Sequence, residues 1–103
     1  MAIRYDKLVR DRVPGIIRDN GGTTVTHVAT SDEYVRALKA KLQEEVNEFL
    51  ESGTDVRELA DIMEVVYALA RHMGVDADRL DALRLRKLAD RGGFTQRIIL
   101  EEA

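Results

Sequence analysis

The stretch KLQEEVNEFLESGTDVRELADIM, residues 41–63, decides the fold of this chain. It holds two acidic patterns, E-E-x-x-E at Glu44, Glu45 and Glu48 and E-x-x-D at Glu58 and Asp61. A three-residue spacing sets side chains one turn apart on a helix. Between the patterns lies Glu51-Ser52-Gly53-Thr54, a connector short enough to make the flanking helices antiparallel neighbours.

Working outward, Val35, Leu38, Leu42, Val46 and Phe49 recur with helical period and predict a first long helix over about residues 32–51. Leu59, Ile62, Met63, Val66, Leu69, Ala70 and Met73 predict a second over about residues 55–73. At roughly 100° per residue, Glu45 falls on one flank of the first stripe with Glu48 just beyond it. Glu58 and Asp61 lie on a flank of the second, displaced in the same rotational sense. Glu44 points nearly opposite, towards solvent, and Glu64 faces away. A two-fold axis relates antiparallel helices, so flanks displaced in the same sense end on the same side. Glu48 and Glu58 stand at equal height from the turn, as do Glu45 and Asp61. The four carboxylates are expected to converge, and an oxygen-rich nest of that kind suits a hard cation such as Mg²⁺.

Helix acids commonly pair with a base four residues away. Lys41 is placed to pair with Glu45, and Arg57 with Asp61. Glu48 has no such base, and Glu44 brings like charge one turn before it. Ion pairing accounts for part of the pattern and not for its convergence.

The rest of the chain is punctuated by turn residues. Pro14 suits the first turn of a short helix containing Ile16 and Ile17, stopped by Asn20-Gly21-Gly22. Residues 23–30 are rich in β-branched side chains and predict a strand. Ser31 or Asp32 is the expected cap of the first long helix, and Thr54 or Asp55 of the second. Asp76 or Asp78 starts a third, with Leu80, Leu83, Leu85 and Leu88, and Gly92-Gly93 stops it. Residues 94–100 predict a short terminal strand paired with 23–30. The fold class is therefore mainly α, an antiparallel helical bundle with a minor short β element, in one domain over residues 1–103.

The 103 residues suffice for one such domain. Hydrophobic residues make up 45% and aromatics only 5%, with no Trp, so aliphatic side chains must fill the core. A helical hairpin of this size leaves an apolar face uncovered, which predicts a homo-oligomer, dimer or tetramer. A formal net charge of −3 argues against a general nucleic-acid binder. With no Cys there is no disulfide framework, zinc-thiolate site or thiol nucleophile. No apolar run reads as a signal peptide or a membrane span, so a cytoplasmic protein without a membrane partner is expected.

Basic residues cluster twice, at Arg4, Lys7, Arg10 and Arg12 and at Arg84, Arg86, Lys87, Arg91 and Arg97. Singly, each reads as an ordinary solvated charge. As a set they offer cations for phosphate oxygens, with Lys7, Arg10, Lys87 and Arg91 the candidates. His27 and His72 are isolated and read as structural. Tyr5, Tyr34 and Tyr67 read as packing residues, and Ser31 and Ser52 as cap or turn residues.

With these residues in view, the chain resembles the MazG-like nucleotide pyrophosphohydrolases. That all-α superfamily also holds phosphoribosyl-ATP pyrophosphohydrolase and the dimeric dUTPases. The acid pattern carries the resemblance first. The opening Tyr5-Asp6-Lys7-Leu8-Val9-Arg10-Asp11-Arg12-Val13-Pro14 and the closing Arg91-Gly92-Gly93-Phe94 and Arg97-Ile98-Ile99-Leu100 resemble a small single-domain, house-cleaning branch. The resemblance implies Mg²⁺-dependent hydrolysis of nucleoside triphosphates to monophosphate and pyrophosphate, with Mn²⁺ as an alternative ion. It implies Glu45, Glu48, Glu58 and Asp61 as metal ligands, the same four the helical geometry selects. Glu44 matches the leading acid of the motif, which in some relatives orients or deprotonates water. Two other readings remain: an enzyme acting on phosphoribosyl-ATP, and a non-catalytic helical interaction module of the same fold.

Overall fold

The computed structural model describes residues 3–103 and contains four helices. Helix α1 spans Val13–Asp19, α2 Ser31–Ser52, α3 Val56–His72 and α4 Ala77–Arg91. The protein is an all-helical bundle, as the mainly α reading requires. No helix among the described residues is long and apolar enough to cross a membrane.

Each long helix starts on a side-chain cap. Asp55 accepts from the Arg57 backbone N–H at 3.0 Å and Asp76 from that of Arg79 at 2.8 Å. The cap of α2 is Thr30, not Ser31 or Asp32: its Oγ1 accepts from the Glu33 N–H at 3.3 Å. Thr30 is the last residue with extended backbone, the conformation an N-cap needs. Ser31 and Asp32 fall inside the first turn, where Asp32 and Glu33 meet the positive end of the helix dipole. Gly53 ends α2 with φ 74°, a left-handed conformation that a side chain would strain. The chain then reverses within three residues, and α2 and α3 pack against each other as an antiparallel hairpin. Helix α4 packs on α3.

The core is small. Leu38 of α2 and Val65 and Ala70 of α3 are its buried apolar residues. Leu8 and Val9, half-buried, bring the N-terminal segment onto the hairpin beside Leu38 and Val65.

The minor β element is not formed: no strand occurs among the described residues. Residues 23–30 run without sheet pairing, and Val25 and Val28 are fully exposed. β-branched residues favour a strand only where a pleated, half-buried surface exists to pack them. The expected partner, 94–100, supplies none. A turn interrupts it, with the Arg97 N–H donating to the Phe94 carbonyl at 3.1 Å and Arg97 at φ 58°. Residues 23–30 are anchored instead by side chains, through Arg18 to Thr24 at 2.8 Å and His27 to Glu33 at 3.0 Å.

Candidate metal centre

Helix α2 presents Glu44, Glu45 and Glu48, and α3 presents Glu58 and Asp61. Carboxylate oxygens of Glu45, Glu48 and Glu58 all lie within 4.8 Å of one another. Three of the four expected ligands are thus brought together, two from one helix and one from its antiparallel neighbour. The capped ends of α2 and α3 and the short turn at Gly53 fix their relative height.

The three differ in environment. Glu45 is buried, at 8% exposure, and Lys41 Nζ stands 3.3 Å from its Oε1. Its Oε2 is shielded from solvent and has no hydrogen-bond partner. A buried carboxylate oxygen without a donor costs free energy unless a cation or proton meets it. Glu58 is half-buried and Glu48 is exposed. A hydrogen bond shared with Glu45 raises the Glu48 carboxyl above its ordinary value, and the charges of Glu45, Glu58 and Glu44 push it the same way. Oxygen donors of this kind, one fixed in the interior and two towards solvent, suit Mg²⁺ or Mn²⁺.

Asp61 is held otherwise. Its Oδ1 accepts from Arg10 Nη2 at 2.8 Å, and Arg57 pairs with Asp55 instead. Glu44 is not turned to solvent. It is half-buried under the N-terminal segment, 2.7 Å from Lys7 Nζ and 3.4 Å from Lys41 Nζ. The Lys7 hydrogen bond, with Lys41 behind it, holds the Glu44 carboxyl below its ordinary value. The same bond raises Lys7. A helical wheel of α2 contains neither the N-terminal segment nor Lys7, which is why it sends Glu44 to solvent. The only signal for this packing in the sequence is charge, the run Arg4-Lys7-Arg10-Arg12 against the acids of α2 and α3.

Beside the cluster lies a cleft of about 280 Å³ between the N-terminal segment, α2 and α3. Leu38, Val65 and Ala68 give it an apolar lining, and Glu45 and Asp61 join it to the acidic group. Lys41, Arg10 and Arg71 supply positive charge, and Tyr34 completes the lining. The Tyr34 ring meets the edge of His72 at 5.5 Å between centroids. Arg71 and Tyr34 were not singled out as site residues by sequence, because each fits an ordinary helix position. Lys87 and Arg91 are exposed on α4, outside the cleft lining, and form no ion pair with a carboxylate among the described residues.

Comparison with known proteins adds a single point. An uncharacterised protein of Mycolicibacterium smegmatis is 50% identical over 48 residues, which are 47% of this chain and 49% of that protein. The chain spans about half the length of the curated relative it matches. No family model matches the chain. No solved structure matches it.

Proposed function

We propose that this chain is a Mg²⁺-dependent nucleoside triphosphate pyrophosphohydrolase of the MazG-like kind. It would release a nucleoside monophosphate and pyrophosphate and serve to clear the nucleotide pool. The observation that carries the reading is the convergence of Glu45, Glu48 and Glu58 around a buried, unpartnered Glu45 oxygen. That donor set fits a divalent cation, and Mn²⁺ would fit it as well.

Glu45, Glu48 and Glu58 would hold the cation, which would supply neutralisation of phosphate charge and activation of water. Glu45, buried and held by Lys41, keeps its oxygen in place without reorganising. Arg10 and Lys7 stand on carboxylates at the edge of the group, where each could turn to an arriving phosphate chain. Lys87 and Arg91 are further candidates for phosphate contacts. Asp61 would be available to a cation only if Arg10 left it, as pairing with a phosphate would allow. Glu44, tied to Lys7 and Lys41, fits a role in positioning those cations better than one as a base. The cleft next to the cluster has the size and mixed lining for a sugar and a small base.

A second reading, the non-catalytic helical module, gains from one observation: Glu44 and Asp61 are already neutralised by Lys7 and Arg10. An enzyme acting on phosphoribosyl-ATP is the remaining variant of the catalytic reading. Pyrophosphate release from ribo-, deoxyribo- and oxidised nucleoside triphosphates and from phosphoribosyl-ATP, with Mg²⁺ and with EDTA, separates all three. Metal-dependent release names the substrate, and silence across the panel from folded protein leaves the module.

A further inference from the structure

The two ends of the cleft differ in chemistry. Glu45 of α2 and Asp61 of α3 line the end that meets the acidic group. Tyr34 of α2 and Arg71 of α3 line it further from the Gly53 turn. From Asp61 to Arg71 the cleft follows α3 for about 15 Å, at 1.5 Å of rise per residue.

Along this wall lies an ion pair of long span. Arg71 Nη2 stands 3.5 Å from Glu64 Oε2. Helix pairs ordinarily join residues three or four apart. Glu64 and Arg71 are two turns apart, so their side chains extend towards each other along the axis of α3. Ala68 lies one turn from each and lines the cleft between them. Its methyl group leaves space there that a longer side chain would fill. Both members of the pair are more than half exposed, so the pair adds little to stability.

An ionised Glu only accepts hydrogen bonds, and Arg only donates them, through a planar fork. Laid end to end, the two present a row of donor, donor and acceptor. Tyr34, fixed against His72, offers an aromatic ring in the same cleft. Among one-ring bases the pairing edges differ. Cytosine presents two adjacent acceptors, O2 and N3, followed by the N4 amino donor, which is the complement of that row. Uracil and thymine present acceptor, donor, acceptor. On this row they would set a carbonyl oxygen against Glu64 or an N–H against Arg71.

We propose that Arg71 and Glu64 read the edge of the base and select cytosine nucleotides over uracil and thymine nucleotides. Arg71 donates to O2 and N3, and Glu64 accepts from the N4 amino group. The wall between this pair and Asp61 leaves room for the sugar and the first phosphate. A mismatched base leaves donors and acceptors unpaired on both sides, which is how such a site rejects it. The inference rests on the proposed nucleotide-hydrolysing function and adds to it a substrate class and two specificity-determining residues.

Calorimetry with the α,β-methylene analogues of CTP and UTP, and with inorganic triphosphate, all with Mg²⁺, tests it on the full chain. The CTP analogue should bind at least about tenfold more tightly than the UTP analogue. Glu64→Ala and Arg71→Ala should each abolish that preference and leave inorganic triphosphate binding unchanged, because triphosphate meets only the acidic end. Should a variant fail to fold, nuclear Overhauser contacts between the Ala68 methyl group and the cytosine ring in the wild-type chain give the answer, and their absence in the bound state overturns the proposal. Nucleotide binding without a cytosine preference, or a preference that survives both substitutions, overturns it while the hydrolase reading stands. If neither the nucleotide analogues nor triphosphate bind, both fall together.

Discussion

Arg10 Nη2 stands 2.8 Å from Asp61 Oδ1, joining the N-terminal segment to α3 across most of the first half of the chain. With Lys7 on Glu44 at 2.7 Å, it closes a basic strap over the acidic edge of the hairpin. Two acids are neutralised by this strap, and Glu45, Glu48 and Glu58 are left to converge. The strap therefore sets how many carboxylates are left free for a cation.

Replacing Arg10 by Gln should free Asp61. Mg²⁺ or Mn²⁺ binding without nucleotide should tighten, because a competitor for the carboxylate is gone. On the proposed function, nucleotide affinity should fall at the same time, because a cation proposed to meet phosphate is lost. Calorimetry with metal alone and with metal plus nucleotide measures both. Stability should change by less than about 1 kcal/mol, since the pair is solvent-exposed. Weaker metal binding in this variant would show that Arg10 supports the centre instead of competing with it.

Glu48→Gln removes a proposed ligand that does little for the fold, as Glu48 is exposed. Metal affinity should drop by more than the roughly 10–100-fold that loss of an outer-shell partner costs. Metal-dependent turnover should vanish with it, while helicity and midpoint of unfolding stay near wild type. Wild-type turnover in this variant would remove Glu48 from the mechanism.

The acids also give a pH dependence with two opposed parts. Glu48 is raised in the folded chain, so the metal-free folded state binds more protons than the unfolded one over a window above 4.5. Stability should therefore rise as pH falls from neutral into that window. Glu44 is lowered, so its contribution is complete above 4.5 and is lost as pH falls through its folded value. Thermal unfolding of the metal-free chain should show a maximum in the acidic range. Glu48→Gln should flatten its neutral side, and Lys7→Gln its acid side. Metal binding should weaken over the window in which Glu48 takes up its proton.

Leu38 is the most buried apolar residue of the core, at 2% exposure. Leu38→Ala should cost about 2–5 kcal/mol. It also lines the cleft, so nucleotide binding should loosen even where the chain stays folded. Urea unfolding and nucleotide titration of the same sample check both effects. A loss below about 1 kcal/mol would mean that the site collapses readily around the smaller side chain.

Much of the local structure is legible in the sequence. The periods of Val35–Phe49 and Leu59–Met73 fix two helices to within a residue or two of their observed ends. Asp55, Asp76, Gly53 and Gly92 mark their starts and stops, because caps and left-handed turns depend on neighbours only a few residues away. The convergence of Glu45, Glu48 and Glu58 follows from the same periods and a short turn. The β element failed for the converse reason. Residues 23–30 have the composition of a strand, and a strand exists only if a distant segment pairs with it.

The sequence by itself determined the helices, the neighbourhood of their caps though not Thr30 as the cap of α2, the antiparallel hairpin and the side on which its acids gather. Each of these depends on helical period and on contacts close along the chain. Tertiary structure alone decided that Asp61 is taken by Arg10, that Glu44 lies under Lys7, and that one oxygen of Glu45 is buried without a donor. Those outcomes depend on where the N-terminal segment lands on the hairpin. Its placement is a balance of half-buried Leu8 and Val9 against solvated charge, between residues tens of positions apart, and no local pattern encodes it.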